Sequence, residues 1–219
     1  MTRKDFDQSL GLLEQKMLHM GSVVEQAVIN AVAALRDQNL EQAERVILED
    51  EQIDELSREL DEECVQILAL HQPVARDLRA VTSILRTVID LERIADHAVN
   101  IAEYALKIGN EPLLKPLIDI PRMAGMAMEM LHSALQAFVA RDVAKAREIP
   151  LQDDAIDQIY ADLYDELLGF IIAGSDNNRW EAQSVILLFT SHSLERIADH
   201  AVNICERLIY LETGKIMHF

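Results

Sequence analysis

Eleven residues, Leu91-Glu92-Arg93-Ile94-Ala95-Asp96-His97-Ala98-Val99-Asn100-Ile101, return unchanged as Leu194 to Ile204, an offset of 103 in a chain of 219. Identity over that length at half-chain spacing marks two copies of one structural unit. The same offset pairs Asp50 with Asp153, Ile53 with Ile156, Asp54 with Asp157, Glu59 with Asp162 and Arg76 with Arg179. The duplication therefore reaches well beyond the motif.

Placed at 100° per residue, Leu91, Ile94, Ala95, Ala98, Ile101 and Ala102 fall on one face, the spacing of a buried helical stripe. Glu92, Asp96 and Glu103 lie along one edge of it, and Glu195, Asp199 and Glu206 do the same in the second copy. Like charges four residues apart cost a helix a few tenths of a kcal/mol, and proximity to an apolar stripe adds desolvation. Two explanations stand side by side at this point. Either the acidic edge is solvated and tied down by Arg93 or another neighbouring arginine, or a hard cation compensates it, since carboxylate oxygens suit Mg, Ca, Mn and iron.

Apolar residues make up 50% of the chain while aromatics make up 5%, and seven glycines and five prolines leave long stretches unbroken. That composition predicts an all-helical protein. Apolar positions recur at threes and fours from about Asp5 to Arg36, and again from about Leu40 to Leu70, where Pro73 ends the second helix. A third helix is expected from about Val74 to Ile108. Gly109 to Pro112, with Pro116 and Pro121, then separates the copies. The plan repeats with helices over about Ile120–Arg141, Asp142–Ala173 (kinked or restarted near Pro150) and Arg179–Thr213. The turn before the last helix is placed at Gly174 to Asn178. The methionines at 123, 126, 128 and 130 read as adaptable core. The expected architecture is all-α: two tandem antiparallel three-helix bundles, residues 1–110 and 117–219, with six long helices.

Folding each hairpin back on itself sets Asp96 level with Asp50 and Asp54, and Asp199 level with Asp153 and Asp157. Each unit then offers two i,i+4 acidic pairs at one height. The candidate ligands are Asp50, Asp54, Glu92 and Asp96 in the first unit, and Asp153, Asp157, Glu195 and Asp199 in the second. Four carboxylates within reach of one another do not all stay ionised without a cation. His97 and His200 point about 100° away from the aspartates and are expected at a surface or an interface instead.

A net charge of −18 disfavours nucleic acid and anionic membrane surfaces. Cys64 and Cys205 form no framework and read as reduced, buried hydrophobes of a cytoplasmic protein. The basic start of the chain leads into no apolar signal region, and no apolar run approaches membrane-spanning length. The doubled Glu-x-x-His motif of di-iron bundle enzymes, a Gly-rich phosphate loop and a nucleophile beside a base are all missing from the sequence, so an enzyme is not expected.

Glu92-Arg93-Ile94-x-Asp96 and Glu195-Arg196-Ile197-x-Asp199, with Gln72-Pro73-x-x-x-Asp77-Leu78-Arg79 and Met20-Gly21-x-x-Val24-Glu25, resemble the PhoU family over essentially the full chain. Where the family usually has glycine, this chain has Ala95 and Ala198. The resemblance implies a cytoplasmic, often homodimeric, non-enzymatic regulator built from two three-helix repeats. It implies negative regulation of phosphate uptake and of the phosphate-starvation response. Its implied partners are the phosphate ABC transporter and the sensor histidine kinase. It further implies that the acidic motifs hold metal, iron first, with Zn, Mn, Mg or Ca also admissible. The alternative from a different class is a carboxylate-metal enzyme or a metal-storage helical protein.

Overall fold

The computed structural model describes residues 3–172 and 178–219; the turn expected at 174–178 falls largely outside the described residues. Among the described residues seven α-helices follow in chain order: α1 (Arg3–Asp37), α2 (Leu40–His71), α3 (Arg76–Ile108), α4 (Asp119–Ala140), α5 (Val143–Glu148), α6 (Asp153–Ile172) and α7 (Asn178–Thr213). A 3-10 turn at Ile149–Gln152 separates α5 from α6. The expected fifth helix is thus interrupted, because Pro150 cannot donate to the helical ladder. Among the described residues no strand is present.

Local chemistry sets the boundaries. Asn39 caps α2 by accepting from the Gln42 amide, and Asp142 caps α5 by accepting from the Lys145 amide. Gln72 and Arg141 close α2 and α4 in the left-handed conformation. Ala75 enters α3 at φ 50°, a strained value for a residue with a Cβ.

Helices α1, α2 and α3 pack as one bundle, and α4, α6 and α7 as a second. The bundles lie side by side. Helix α3 packs extensively along α7, and α1 packs along α4, so the buried side chains of both repeats form one continuous core. Met123, Met128 and Met130 are buried in it and Met126 packs against it, as their spacing suggests. Gly21 makes the α1–α4 approach close: a Cβ there would meet Leu135 Cδ1 at 2.4 Å.

The proline-rich connection is fastened to its surroundings. Gln38 Nε2 donates to the carbonyls of Gly109 and Glu111, and Gln183 both donates to the Pro112 carbonyl and accepts from the Leu114 amide. An ion-pair chain bridges the two repeats, running from Glu14 through Arg141 to Glu212 and on to Arg76. One expectation needs correction. Helix α1 contains a stretch long and apolar enough to cross a membrane by length and composition. Its apolar stripe, from Leu13 through Val28 to Leu35, is instead buried against α2, α3 and α4.

Candidate metal centre

Each repeat brings an acidic pair from its second helix up to an acidic pair from its third. In the first repeat Ile53 and Leu91 point into the core, and their periodicity puts Asp50 and Glu92 at the half-buried margin, with Asp54 exposed. In the second, Ile156 and Leu194 do the same for Asp153, Asp157 and Glu195.

The electrostatics report the convergence. Burial first, then the charges of Asp54, Asp96 and Glu92, push the Asp50 carboxyl up to about 6. Burial, then Asp157, Asp199, Glu195 and Asp154, push Asp153 up to about 7. In each hairpin, charges from both helices therefore act on one half-buried carboxyl, Asp50 in the first and Asp153 in the second. Burial and Asp199 also raise Asp157, and Asp199 itself is raised chiefly by burial.

Part of each cluster already has a protein partner. Arg93 donates to Asp96 at 2.9 Å and Arg196 to Asp199 at 2.5 Å, the arginine tether that the spacing also allows. Ser57 Oγ donates to Glu92 at 3.3 Å. At its duplicate position stands Tyr160, and Glu195 is met instead by His192 at 2.8 Å. Asp153 Oδ1 is buried with no hydrogen-bond partner. The donor set is all carboxylate oxygen, which fits a hard cation. Among the described residues, however, no three His, Cys, Asp or Glu side chains stand close enough together to hold a metal ion.

His97 and His200 lie at the seam between α3 and α7, their ring centroids 6.0 Å apart. His200 Nδ1 is 2.9 Å from Asp90 Oδ1, which also accepts from Asn203 at 3.1 Å, and Arg207 Nε stands 3.9 Å from Asp90 Oδ2. His97 has no such acceptor. Burial foremost, then His200 and Arg196, hold its imidazole down to about 4. Asp90 and Arg207 escaped the sequence reading. Their signal was the run of polar residues Ser83, Thr87 and Asp90 on the stripe of α3 that is otherwise buried apolar. Cys64 and Cys205 are buried thiols pushed up to about 12 by desolvation, which suits packing and not reactivity.

The model of the PhoU domain matches twice, over residues 17–105 and 120–208, each match holding one copy of the acidic motif. The chain belongs to the PhoU family. A phosphate-specific transport system accessory protein PhoU homolog from Clostridium acetobutylicum is 36% identical over 216 residues, spanning 98% of this chain and 97% of that one. The crystal structure of the phosphate transport system regulatory protein PhoU from Streptococcus pneumoniae superposes with a TM-score of 0.90 at 34% identity, covering 98% of this chain and all of the other. PhoU from Pseudomonas aeruginosa gives 0.89 at 36% identity, with 96% and 100% covered. The PhoU fold accounts for both bundles and for the doubled acidic hairpin.

Proposed function

We propose that this chain is a non-enzymatic accessory regulator of phosphate transport. It acts in the cytoplasm as a negative regulator of phosphate uptake and of the phosphate-starvation response, linking the phosphate ABC transporter to the sensor histidine kinase, and it works as a homodimer. Full-length similarity to accessory and regulatory PhoU proteins supports the role.

The observation that carries the metal half of the proposal is the duplicated convergence of carboxylates at Asp50, Asp54, Glu92 and Asp96 and at Asp153, Asp157, Glu195 and Asp199. These eight residues would hold hard cations, with iron the first candidate. Bound metal would supply positive charge that lets the carboxylates ionise together. The protein's own contribution is a rigid pair of helices, an unpartnered Asp153 oxygen, and arginines that release Asp96 and Asp199 when positive charge is supplied from elsewhere.

Two measurements test the halves separately. Protein purified without chelator or affinity tag should contain more than one transition metal ion per chain, and Asp96→Asn/Asp199→Asn should lose it; metal-free wild type would refute ligation. Expression in a bacterium lacking its own PhoU-type regulator should silence a phosphate-starvation reporter in high phosphate. A reporter left active by well-folded protein would refute the regulatory role.

A further inference from the structure

Duplication gives each repeat a groove between its second and third helices, and the two grooves have diverged in chemistry. The first is lined by Asp61, Glu62, Val65, Gln66 and Leu85. The second, between α6 and α7, encloses about 220 Å³ and is lined by Tyr160, Tyr164, Val185, Leu188, Phe189 and His192. At the 103 offset, Ser57, Asp61 and Arg86 of the first repeat have become Tyr160, Tyr164 and Phe189 in the second.

Two of these aromatics and a neighbouring valine are presented to solvent: Tyr164 is 45% exposed, Phe189 52% and Val185 40%, with Tyr160 half-buried behind them. They form a ladder across the surface. Tyr160 meets Tyr164 edge-on at 6.4 Å and His192 at 6.0 Å, and Phe189 stacks on Tyr104 of α3 at 6.1 Å. The chain has only five Phe, four Tyr and one Trp, and four of these ten stand here. So dense an exposed aromatic patch on an aromatic-poor protein is the composition of an interface centre.

Charge selects the occupant. The α7 stripe reads Glu181, Val185, Phe189, His192, Glu195, so the apolar stretch has a carboxylate at each end. On α6, Asp153 and Asp157 precede Tyr160 and Tyr164 and reinforce the Glu195 end. From Glu181 to Glu195 the stripe is about 21 Å long, about four helical turns.

We propose that the α6–α7 groove docks one amphipathic helix of a partner protein, with large apolar anchors at its centre and Lys or Arg at both ends. The inference rests on the accessory-protein reading in one respect, that the occupant is a protein. The Glu195 end shares its carboxylates with the acidic cluster, so a basic helix end and a bound cation compete there. Apolar anchors seat against Tyr160, Tyr164 and Phe189 in the helix-in-groove mode, while the terminal carboxylates fix the register of the basic ends.

The probe is a fluorescein-labelled sixteen-residue helical peptide with Leu and Phe anchors at i, i+4 and i+7 and two Arg at each end, read by fluorescence anisotropy in physiological salt. A second peptide replaces the anchors by Ala and keeps the charge. The variant Tyr164→Asp/Phe189→Arg installs the first repeat's residues and leaves the net charge unchanged. Wild type should bind the anchored peptide at least tenfold more tightly than the Ala peptide, and the variant should lose that tenfold while keeping its melting temperature. Val65→Ser/Leu85→Ser, in the first groove, should bind as wild type does. Equal affinity for the two peptides, no binding by wild type, or full binding by the aromatic variant would each overturn the proposal. So would loss of self-association in the aromatic variant, which would make a second copy the occupant. Wild type that silences the starvation reporter but ignores the peptide refutes the groove alone, whereas failure to silence it refutes the accessory reading.

Discussion

Replacing Asp153 by asparagine is expected to stabilise the metal-free protein, and only at neutral to alkaline pH. Asp153 is half-buried at the start of α6 with its carboxyl raised from 3.8 to about 7. In the unfolded chain it ionises near its ordinary value, so between about pH 4 and pH 7 the folded state binds more protons than the unfolded one. Stability therefore falls as pH rises through that window and levels off above it. At about 1.4 kcal/mol for each tenfold change in proton affinity, the ceiling is about 4 kcal/mol. Solvent screening of a half-exposed group cuts this to about 1–2 kcal/mol. The helix dipole favours the ionised form by about 0.3–1 kcal/mol and does not cancel the penalty. Asparagine fills the same space and never ionises. Urea unfolding in chelator, followed by circular dichroism, should show Asp153→Asn more stable than wild type by about 1–2 kcal/mol near pH 8 and equal to it near pH 4. Added Mn²⁺ should stabilise wild type and reverse the order. A variant no more stable than wild type near pH 8, or equally favoured near pH 4, would refute the carboxylate crowding from which the metal site is argued.

Asp90→Ala should cost about 2–3 kcal/mol in the same unfolding assay, because His200 and Asn203 lose a common partner and Arg207 its nearby counter-ion at the buried seam. The His97 imidazole should titrate near 4 in an NMR pH series, well below the ordinary 6.5. Because the fold disfavours the charged ring, stability on this account is full above about pH 6.5 and is lost as pH falls toward 4, by about 1–2 kcal/mol after screening. Arg141→Asn keeps a residue tolerant of the left-handed cap but strands Glu14, whose carboxyl burial already raises despite Arg141. It should lower the melting temperature by about 4–8 °C, and Glu14→Gln in the same chain should restore part of the loss.

Most of the fold was legible because helical periodicity and duplication are both local signals. The 103 offset located the third helix of each unit, and counting back from Pro73 set Asp50 level with Asp96, whose charge acts on the Asp50 carboxyl after burial and Asp54. The restart near Pro150 followed from proline's missing donor. What the sequence left hidden depends on how the repeats meet. Nothing local says that α3 lies along α7, so the Asp90–His200 contact between residues 110 positions apart had no register from which to be counted. The ion-pair chain from Glu14 to Arg76 was hidden for the same reason. The aromatic groove was visible only in comparison: each of its residues looks ordinary on α6 or α7, and only the offset shows Asp61 exchanged for Tyr164 and Arg86 for Phe189.

The way α3 crosses α7 also explains where the copies stayed identical and where they parted. Ser83 meets the Arg207 carbonyl, Arg79 meets the Leu211 carbonyl, and Asp90 meets His200, so the two helices run antiparallel. These registers bring duplicates level at Arg93–Ile94 against Arg196–Ile197, and one turn further on the His97 and His200 rings meet across the seam at 6.0 Å. That level lies within the unchanged stretch. Side chains at the crossing must be compatible with themselves, so a change in one copy alone meets an unaltered partner. Away from the crossing each residue meets a non-equivalent one, and the copies are free to diverge as complementary pairs. Asp90 and Arg207 have done so, where their duplicates are Ser193 and Tyr104. That single asymmetry gives His200 an acceptor and leaves His97 neutral and unpartnered in the same seam.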